Sequence, residues 1–237
     1  MNIIEFIKSL FSKKSNTKVH QLLSNFELLK QDISYDVDVA LLNSKKAFRL
    51  DLSKKNYSRY PVRMEELANL QELNLSKNIF QSLPLSFGNF KYLQYLDLSN
   101  NEIRHIPEGI FKLKYLLKLS LTNNLIISLP NEISELKMLE KLFLSSNAIM
   151  SLPEGLFELK NLKTLYLSSN ELKNLPESLG KLKSLFELGL DNNKLKKLPV
   201  SIRELKGLKQ IFLGNNNFSD DEKVRIKYAL PNTEIFW

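Results

Sequence analysis

The sequence repeats itself with a period of 23 residues, and this repetition constrains the fold more than any other feature. Seven units begin with leucine, from Leu70 to Leu208, and a more degenerate unit begins at Ala47. In each full unit an alternating Leu-x-Leu segment is followed by an Asn and then by a later Pro. One such unit cannot bury its apolar side alone, whereas stacked units share a continuous core. The period therefore predicts a solenoid.

The alternating segment of each unit predicts a short β-strand. In Leu96-Asp97-Leu98 both leucines point to one side and the aspartate points to the other. Successive strands are expected to be parallel, since about 17 residues remain in each unit for the crossover that a parallel pair needs. The Asn of each unit is placed to bond backbone groups in the turn after the strand. The Pro fixes φ where the chain enters the convex segment.

Two residue columns define these positions. The Asn column contains Asn78, Asn101, Asn124, Asn147, Asn170, Asn193 and Asn216. The Pro column takes seven of the eight prolines, namely Pro61, Pro84, Pro107, Pro130, Pro153, Pro176 and Pro199. With these columns, the units resemble the leucine-rich repeat family, in the LPxxIxxLKxL form found in bacterial members. The resemblance covers about residues 35–237. It implies an α/β solenoid curved like a horseshoe, with a parallel β-sheet on its concave face, and a role as a non-catalytic protein–protein interaction scaffold.

The ends of the chain are expected to cover the open ends of the solenoid. The Ser-x-x-Glu sequence at Ser219 is a capping box that predicts a helix to about Leu230, with Val224 and Ile226 among its core residues, followed by a last strand. We divide the chain into a helical extension (1–34), an N-terminal cap helix (35–46), eight repeat units (47–217) and a C-terminal cap (218–237).

The extension carries two helical patterns. The first contains Ile3, Ile4, Ile7, Leu10 and Phe11, and the second contains Val19, Leu22, Leu23, Phe26 and Leu29. We expect both to pack on each other or on the first repeat. An amphipathic membrane anchor formed by residues 2–14 is the alternative that stays open. The first residues lack the basic start and the cleavage site of a signal peptide, so we expect a cytoplasmic protein.

The composition argues against catalysis. The chain has no Cys and only two histidines, His20 and His105, and it contains none of the common nucleotide-binding, hydrolase or zinc-protease motifs. Leucine supplies 48 of the 237 residues, yet no apolar run reaches the roughly 20 residues that span a bilayer. We therefore expect no catalytic residue, cofactor or metal.

The net charge is +8, and many of the lysines behind it are placed periodically, because one lysine recurs near the end of each unit. This lysine ladder consists of Lys91, Lys114, Lys137, Lys160, Lys183 and Lys206. We read it mainly as a solvated edge. Polyanion binding, including nucleic acid, is an alternative that we do not favour.

The variable strand positions are the candidate binding surface, because residues between the inward leucines face outward from the sheet. Their central column is polar in the first four units and mostly aromatic in the last four, with Gly189 leaving a gap between two rings. Exposed aromatic residues beside cations are typical interface anchors, although simple stacking across the sheet is the alternative. The predicted protein-binding residues are Tyr95, Lys118, Lys141, Phe143, Thr164, Tyr166, Glu187 and Phe212.

Overall fold

Ten parallel strands form one open sheet, and their order in the sheet follows their order along the chain. The structure is a computed structural model that describes residues 22–237. The strands are β1 (Ile33–Ser34), β2 (Arg49–Asp51), β3 (Glu72–Asn74), β4 (Tyr95–Asp97), β5 (Lys118–Ser120), β6 (Lys141–Phe143), β7 (Thr164–Tyr166), β8 (Glu187–Gly189), β9 (Gln210–Phe212) and β10 (Glu234–Phe236). This sheet confirms the predicted solenoid.

The strand register keeps equivalent repeat positions side by side. Leu96 of β4 pairs with Leu119 of β5, and Leu119 pairs with Leu142 of β6. These central leucines are no more than 1% exposed and belong to one apolar core that runs through all the repeats. Full burial of a leucine contributes roughly 1.5–3 kcal/mol before entropy is subtracted, so the stacked leucines dominate stability.

Short 3-10 helices form the convex side. They span Met64–Glu66, Leu85–Asn89, Glu108–Lys112, Asn131–Glu135, Glu154–Glu158, Glu177–Lys181 and Val200–Glu204. From the second helix onward, a Pro of the repeat column is the extended residue directly before the helix. The Pro therefore starts each convex turn, and a buried leucine ends most of them; for example, Leu113 follows Glu108–Lys112.

The Asn column ties neighbouring units together. Asn147 Nδ2 donates to the carbonyl oxygens of Leu144 in its own unit and Leu121 in the preceding unit, each at 3.0 Å. Asn147 Oδ1 accepts a bond from the Ile126 amide at 3.0 Å. The residue before this Asn, Ser146, has a φ of 57° and turns the chain in the left-handed region. The Asn therefore satisfies backbone groups that the turn leaves without partners.

The C-terminal end contains helix Asp220–Ala229 and strand β10, which pairs in parallel with β9. Ser219 accepts a bond from the Glu222 amide, as the capping box predicts. Ile226 is buried, but Val224 is 51% exposed, so its predicted place in the core is wrong. The face of the helix that packs on the repeats therefore includes Ile226 but not Val224.

The N-terminal end departs further from the sequence prediction. It comprises α1 (Asn25–Leu29), strand β1 and α2 (Val37–Leu42). The C-terminal helix Asp220–Ala229 is α3. Strand β1 extends the sheet within the segment predicted to be helical. Phe26 and Leu29 are 70% and 59% exposed, so they do not form the expected buried helix face. The capping box of Ser24 with Glu27 begins α1 only at Asn25, and this separates Leu23 from the helix.

The remaining N-terminal predictions concern other residues. The amphipathic helix at residues 2–14, the first helical pattern and His20 all lie outside the described residues.

Candidate functional site

The outward strand positions form aligned columns on the concave face. The parallel register places Phe143 beside Tyr166, Tyr166 beside Gly189, and Gly189 beside Phe212. The pairing of β9 with β10 adds Phe236 next to Phe212. Residues far apart in sequence thus become one continuous row.

Four rings of this row contact one another. The ring centroids of Phe143 and Tyr166 are 5.5 Å apart, and those of Tyr166 and Phe212 are 6.1 Å apart in an edge-on arrangement. Phe212 and Phe236 are stacked at 4.6 Å. We call Phe143, Tyr166, Phe212 and Phe236 the aromatic cluster. Its rings are partly exposed, with Phe236 at 37%, so it combines mutual stacking with an accessible apolar surface.

Gly189 lets the cluster close, although the sequence predicted an open gap at this position. A Cβ atom there would collide with the ring of Tyr166, which occupies that space instead. The Tyr166 hydroxyl donates to Glu187 Oε2 at 3.1 Å. Burial raises the pKa of Tyr166, and the hydrogen bond and charge of Glu187 raise it further. The Tyr166 ring therefore fits into the space left at Gly189, and its hydroxyl is fixed by the Glu187 carboxylate.

Two predicted cations lie at the N-terminal edge of the aromatic cluster. Lys118 and Lys141 are register partners on β5 and β6. Lys118 Nζ is 5.5 Å from the centre of the Phe143 ring, within the range of a cation–π contact. Lys141 is exposed. The aromatic surface therefore has a positively charged border.

Two predicted residues lie in different surroundings from the cluster. Thr164 is only 7% exposed, so it offers almost no surface to a partner. Its register partners in the adjacent strands are Lys141 and Glu187. Tyr95 faces helix α1 across a small cleft that Asn25 and Lys118 also line. Burial raises the pKa of Tyr95, with smaller contributions from Glu140 and Glu72.

The sequence reasoning missed Phe236 and Trp237. Phe236 extends the aromatic column by one strand, and the Trp237 ring lies 6.1 Å from that of Phe218. The final strand was predicted, but it falls 24 residues after its equivalent in β9 rather than 23. Aligning Glu234-Ile235-Phe236 with Gln210-Ile211-Phe212 would have placed Phe236 in the aromatic column.

The lysine ladder is partly ion-paired. Lys114 Nζ lies 2.9 Å from Glu135, and Lys183 Nζ lies 3.3 Å from Glu204, so a lysine of one unit reaches a glutamate of the next. Lys114 lowers the pKa of Glu135 by hydrogen bonding and by its charge. Each of these four side chains is at least half exposed, so the ion pairs contribute little to stability. They do reduce the positive field along this edge.

His105 lies on the convex side and not on the concave face. It lines a cleft of about 690 Å³ together with Phe111 and Glu135. Within residues 22–237, no three His, Cys, Asp or Glu side chains come together as a metal site would require. In that same part of the chain, no helix has the length and apolar character needed to cross a bilayer.

Comparison with solved structures shows the same architecture in a bacterial protein. The crystal structure of an internalin from Listeria monocytogenes is 21% identical, with a TM-score of 0.66, and the match covers 86% of this chain and 64% of that chain. A leucine-rich repeat protein of Leptospira interrogans is 23% identical over 87% of this chain and 100% of that chain, with a TM-score of 0.34. No curated protein matches this chain significantly.

Family profiles agree with the repeat geometry. A profile described as "Leucine rich repeat" matches residues 91–149 and 138–195, and a second profile of the same description matches residues 69–90. Together they cover residues 69–195, more than half of the 237 residues. The strands, the Asn turns and the shared core described above account for the residues that these profiles recognise. The chain therefore belongs to the leucine-rich repeat family.

Proposed function

We propose that this chain is a non-catalytic scaffold that binds another protein through the C-terminal half of its concave face. The observation that carries the proposal is the aromatic cluster, four contacting and partly exposed rings beside Lys118 and Lys141. Binding energy in protein interfaces concentrates on aromatic and cationic residues of this kind. Repeat proteins present extended surfaces suited to such binding.

The rigidity of the surface also supports protein binding. Phe143, Tyr166 and Phe212 stand on strands whose central residues are buried in the core. Tyr166 is also held by Glu187 and by the absence of a side chain at Gly189. Rings held in place before binding lose little conformational entropy when a partner arrives. The predicted residues Lys118, Lys141, Phe143, Tyr166, Glu187 and Phe212, together with Phe236, form the proposed contact surface.

The test is affinity capture from the native cell with a double variant, Phe143→Ala with Tyr166→Ala. We expect partner recovery to be lost while the thermal transition stays nearly unchanged, because both rings are partly exposed. The matched control is Phe186→Ala with Tyr228→Ala, which removes the same residue types from positions 47% and 84% exposed elsewhere. Full recovery of the partner by the folded Phe143/Tyr166 variant would contradict the proposal.

Polyanion binding through the lysine ladder is the competing function. The ion pairs of Lys114 and Lys183 with neighbouring glutamates make this function weaker. Retention on heparin that disappears at moderate salt, and that the Phe143/Tyr166 variant retains, would favour it over the scaffold.

A further inference from the structure

Two glutamines hold a peptide segment of the chain's own N-terminus. The Leu23 amide donates to Gln71 Oε1 at 2.9 Å, and Gln94 Nε2 donates to the Leu23 carbonyl oxygen at 2.8 Å. Gln94 Nε2 also donates to Gln71 Oε1 at 2.8 Å, which links the two side chains. We call Gln71 and Gln94 the glutamine clamp. It binds both backbone groups of one residue that is 48 and 71 positions away in sequence.

The clamp is confined to the two units beneath this segment. Gln71 and Gln94 are only 1% and 3% exposed. In the later units the equivalent position holds Leu117, Glu140, Lys163, Phe186 and Lys209, all of which are partly or fully exposed. The repeat pattern therefore does not require glutamine here. The two amides match the backbone that crosses them.

The clamped segment continues over the concave face. Helix α1 begins directly after Leu23 and Ser24, and Asn25 and Leu29 line a cleft of about 210 Å³ with Tyr95 and Asp97. At the far end, Arg49 Nη1 donates to the Gln31 carbonyl oxygen at 3.3 Å. We call residues 23–31 the N-terminal strap. It forms one wall of this cleft, and the outward residues of β3 and β4, all partly exposed, form the other.

A few hydrogen bonds and one buried apolar side chain hold the strap. Leu28 is the buried apolar residue of α1, and it is not part of the continuous core of the repeats. Phe26 and Leu29 are largely exposed. A segment held by a few hydrogen bonds and one buried apolar side chain opens at a lower free energy than the core does.

We propose that the N-terminal strap is an intramolecular occupant of the concave face, held shut by the glutamine clamp, and that its release uncovers the outward residues of β3 and β4. The uncovered surface would carry Glu72, Asn74, Tyr95 and Asp97, and would extend the concave face toward the N-terminus. This inference goes beyond the proposed function, because the aromatic cluster lies in the later units and the strap does not cover it.

The test uses the absence of cysteine from the chain. Asp97→Cys places a single thiol in the cleft that the strap borders, and its rate of reaction with a maleimide reports how often the strap opens. Leu23→Pro removes the N–H that donates a hydrogen bond to Gln71 Oε1. Leu23→Ala keeps this N–H and serves as the matched control. We expect Leu23→Pro to accelerate labelling at least about tenfold and Leu23→Ala to change it far less.

Two further variants complete the test. Gln71→Leu with Gln94→Leu removes the clamp from the repeat side and should give the same acceleration as Leu23→Pro. Gln210→Cys on β9 lies outside the strap and should label at one rate in every background.

The proposal fails if Asp97→Cys reacts as fast with the unaltered strap as with Leu23→Pro, since the strap would then cover nothing. It also fails if labelling stays slow in both clamp-breaking backgrounds. Neither readout involves a binding partner, so these results are independent of the test of the aromatic cluster.

Discussion

The ring of Tyr166 occupies the space that a Cβ atom of Gly189 would need. This relationship brings Tyr166 to within 6.1 Å of Phe212, although the two residues are two strands apart. A missing side chain thus joins two parts of the aromatic surface that would otherwise be separate. The same relationship makes Gly189 a position where one methyl group can alter the surface without changing the core.

Gly189→Ala should displace the Tyr166 ring and weaken its bond to Glu187. Because burial and Glu187 both raise the pKa of Tyr166, we expect this pKa to fall toward its ordinary value near 10. Spectrophotometric titration, referenced to Tyr166→Phe, measures the change. Gly207→Ala is the matched control, since a Cβ there meets its nearest atoms at an ordinary 3.5 Å. An unchanged Tyr166 titration in Gly189→Ala would show that the ring is not held by this space.

Asn147→Ala should destabilise the solenoid. The substitution leaves the Leu121 and Leu144 carbonyls and the Ile126 amide without the side chain that bonds them. Unsatisfied buried groups of this kind cost about 1–3 kcal/mol each, so we expect a total loss of roughly 3 kcal/mol in the free energy of unfolding, measured by urea denaturation. Asn174→Ala makes the same chemical change at an exposed position and should cost far less. An equal loss of unfolding free energy in the two variants would show that the hydrogen bonds of Asn147 in the turn are not the cause.

Ser146→Asn should stabilise the protein. Ser146 has a φ of 57°, and the same left-handed position is occupied by Asn in other units, such as Asn123 at 54°. Asn tolerates this region better than Ser, so we expect a gain of about 0.5 kcal/mol and a thermal midpoint higher by about 1–2 °C. The control Ser151→Asn lies outside the left-handed region and should have no such effect. A lower midpoint for Ser146→Asn would contradict the strain argument.

Glu222→Gln should reduce the dependence of stability on acid pH. Arg225 hydrogen-bonds Glu222 and lowers its pKa, and the Leu198 amide donates to the same carboxylate at 2.8 Å. A lowered folded-state pKa means that the carboxylate stabilises the fold above its unfolded value of about 4.3, and that this contribution is lost as pH falls through the folded-state pKa.

The measurement is urea denaturation followed by Trp237 fluorescence between about pH 6 and pH 3. The wild type should lose more stability across this range than Glu222→Gln. Asp221→Asn removes a carboxylate from the same helical turn without a bond to Leu198, so it should behave like the wild type. The same acid dependence in Glu222→Gln and the wild type would exclude Glu222 as its source.

The strand positions and the outward columns were predictable because they depend on local alternation and a constant period. Phe143, Tyr166 and Phe212 occupy the same position in their units, so their common face follows from the sequence alone. Phe236 was missed because the last strand falls one residue out of step. The burial of Thr164 was missed because its outward strand position by itself predicts an exposed side chain, whereas the side chain is only 7% exposed in the stacked units.

The N-terminus shows the limit of local patterns most clearly. Leu22, Leu23, Phe26 and Leu29 continue a helical spacing, yet the helix that contains Phe26 and Leu29 begins only at Asn25. The backbone of Leu23 bonds to two glutamine side chains instead of joining a helix. The two glutamines share one repeat position, but nothing in the repeat pattern connects them to a residue 48 and 71 positions earlier.

By itself, the sequence determined the repeat solenoid, its strands and the Asn and Pro turns, because each depends on residues within one unit or at a constant spacing. Only the tertiary structure decided that Tyr166 closes over Gly189, that Phe236 completes the aromatic cluster and that Gln71 and Gln94 bind the backbone of Leu23. These features depend on side-chain volume and on hydrogen bonds between distant segments, and both are settled only when the units stack.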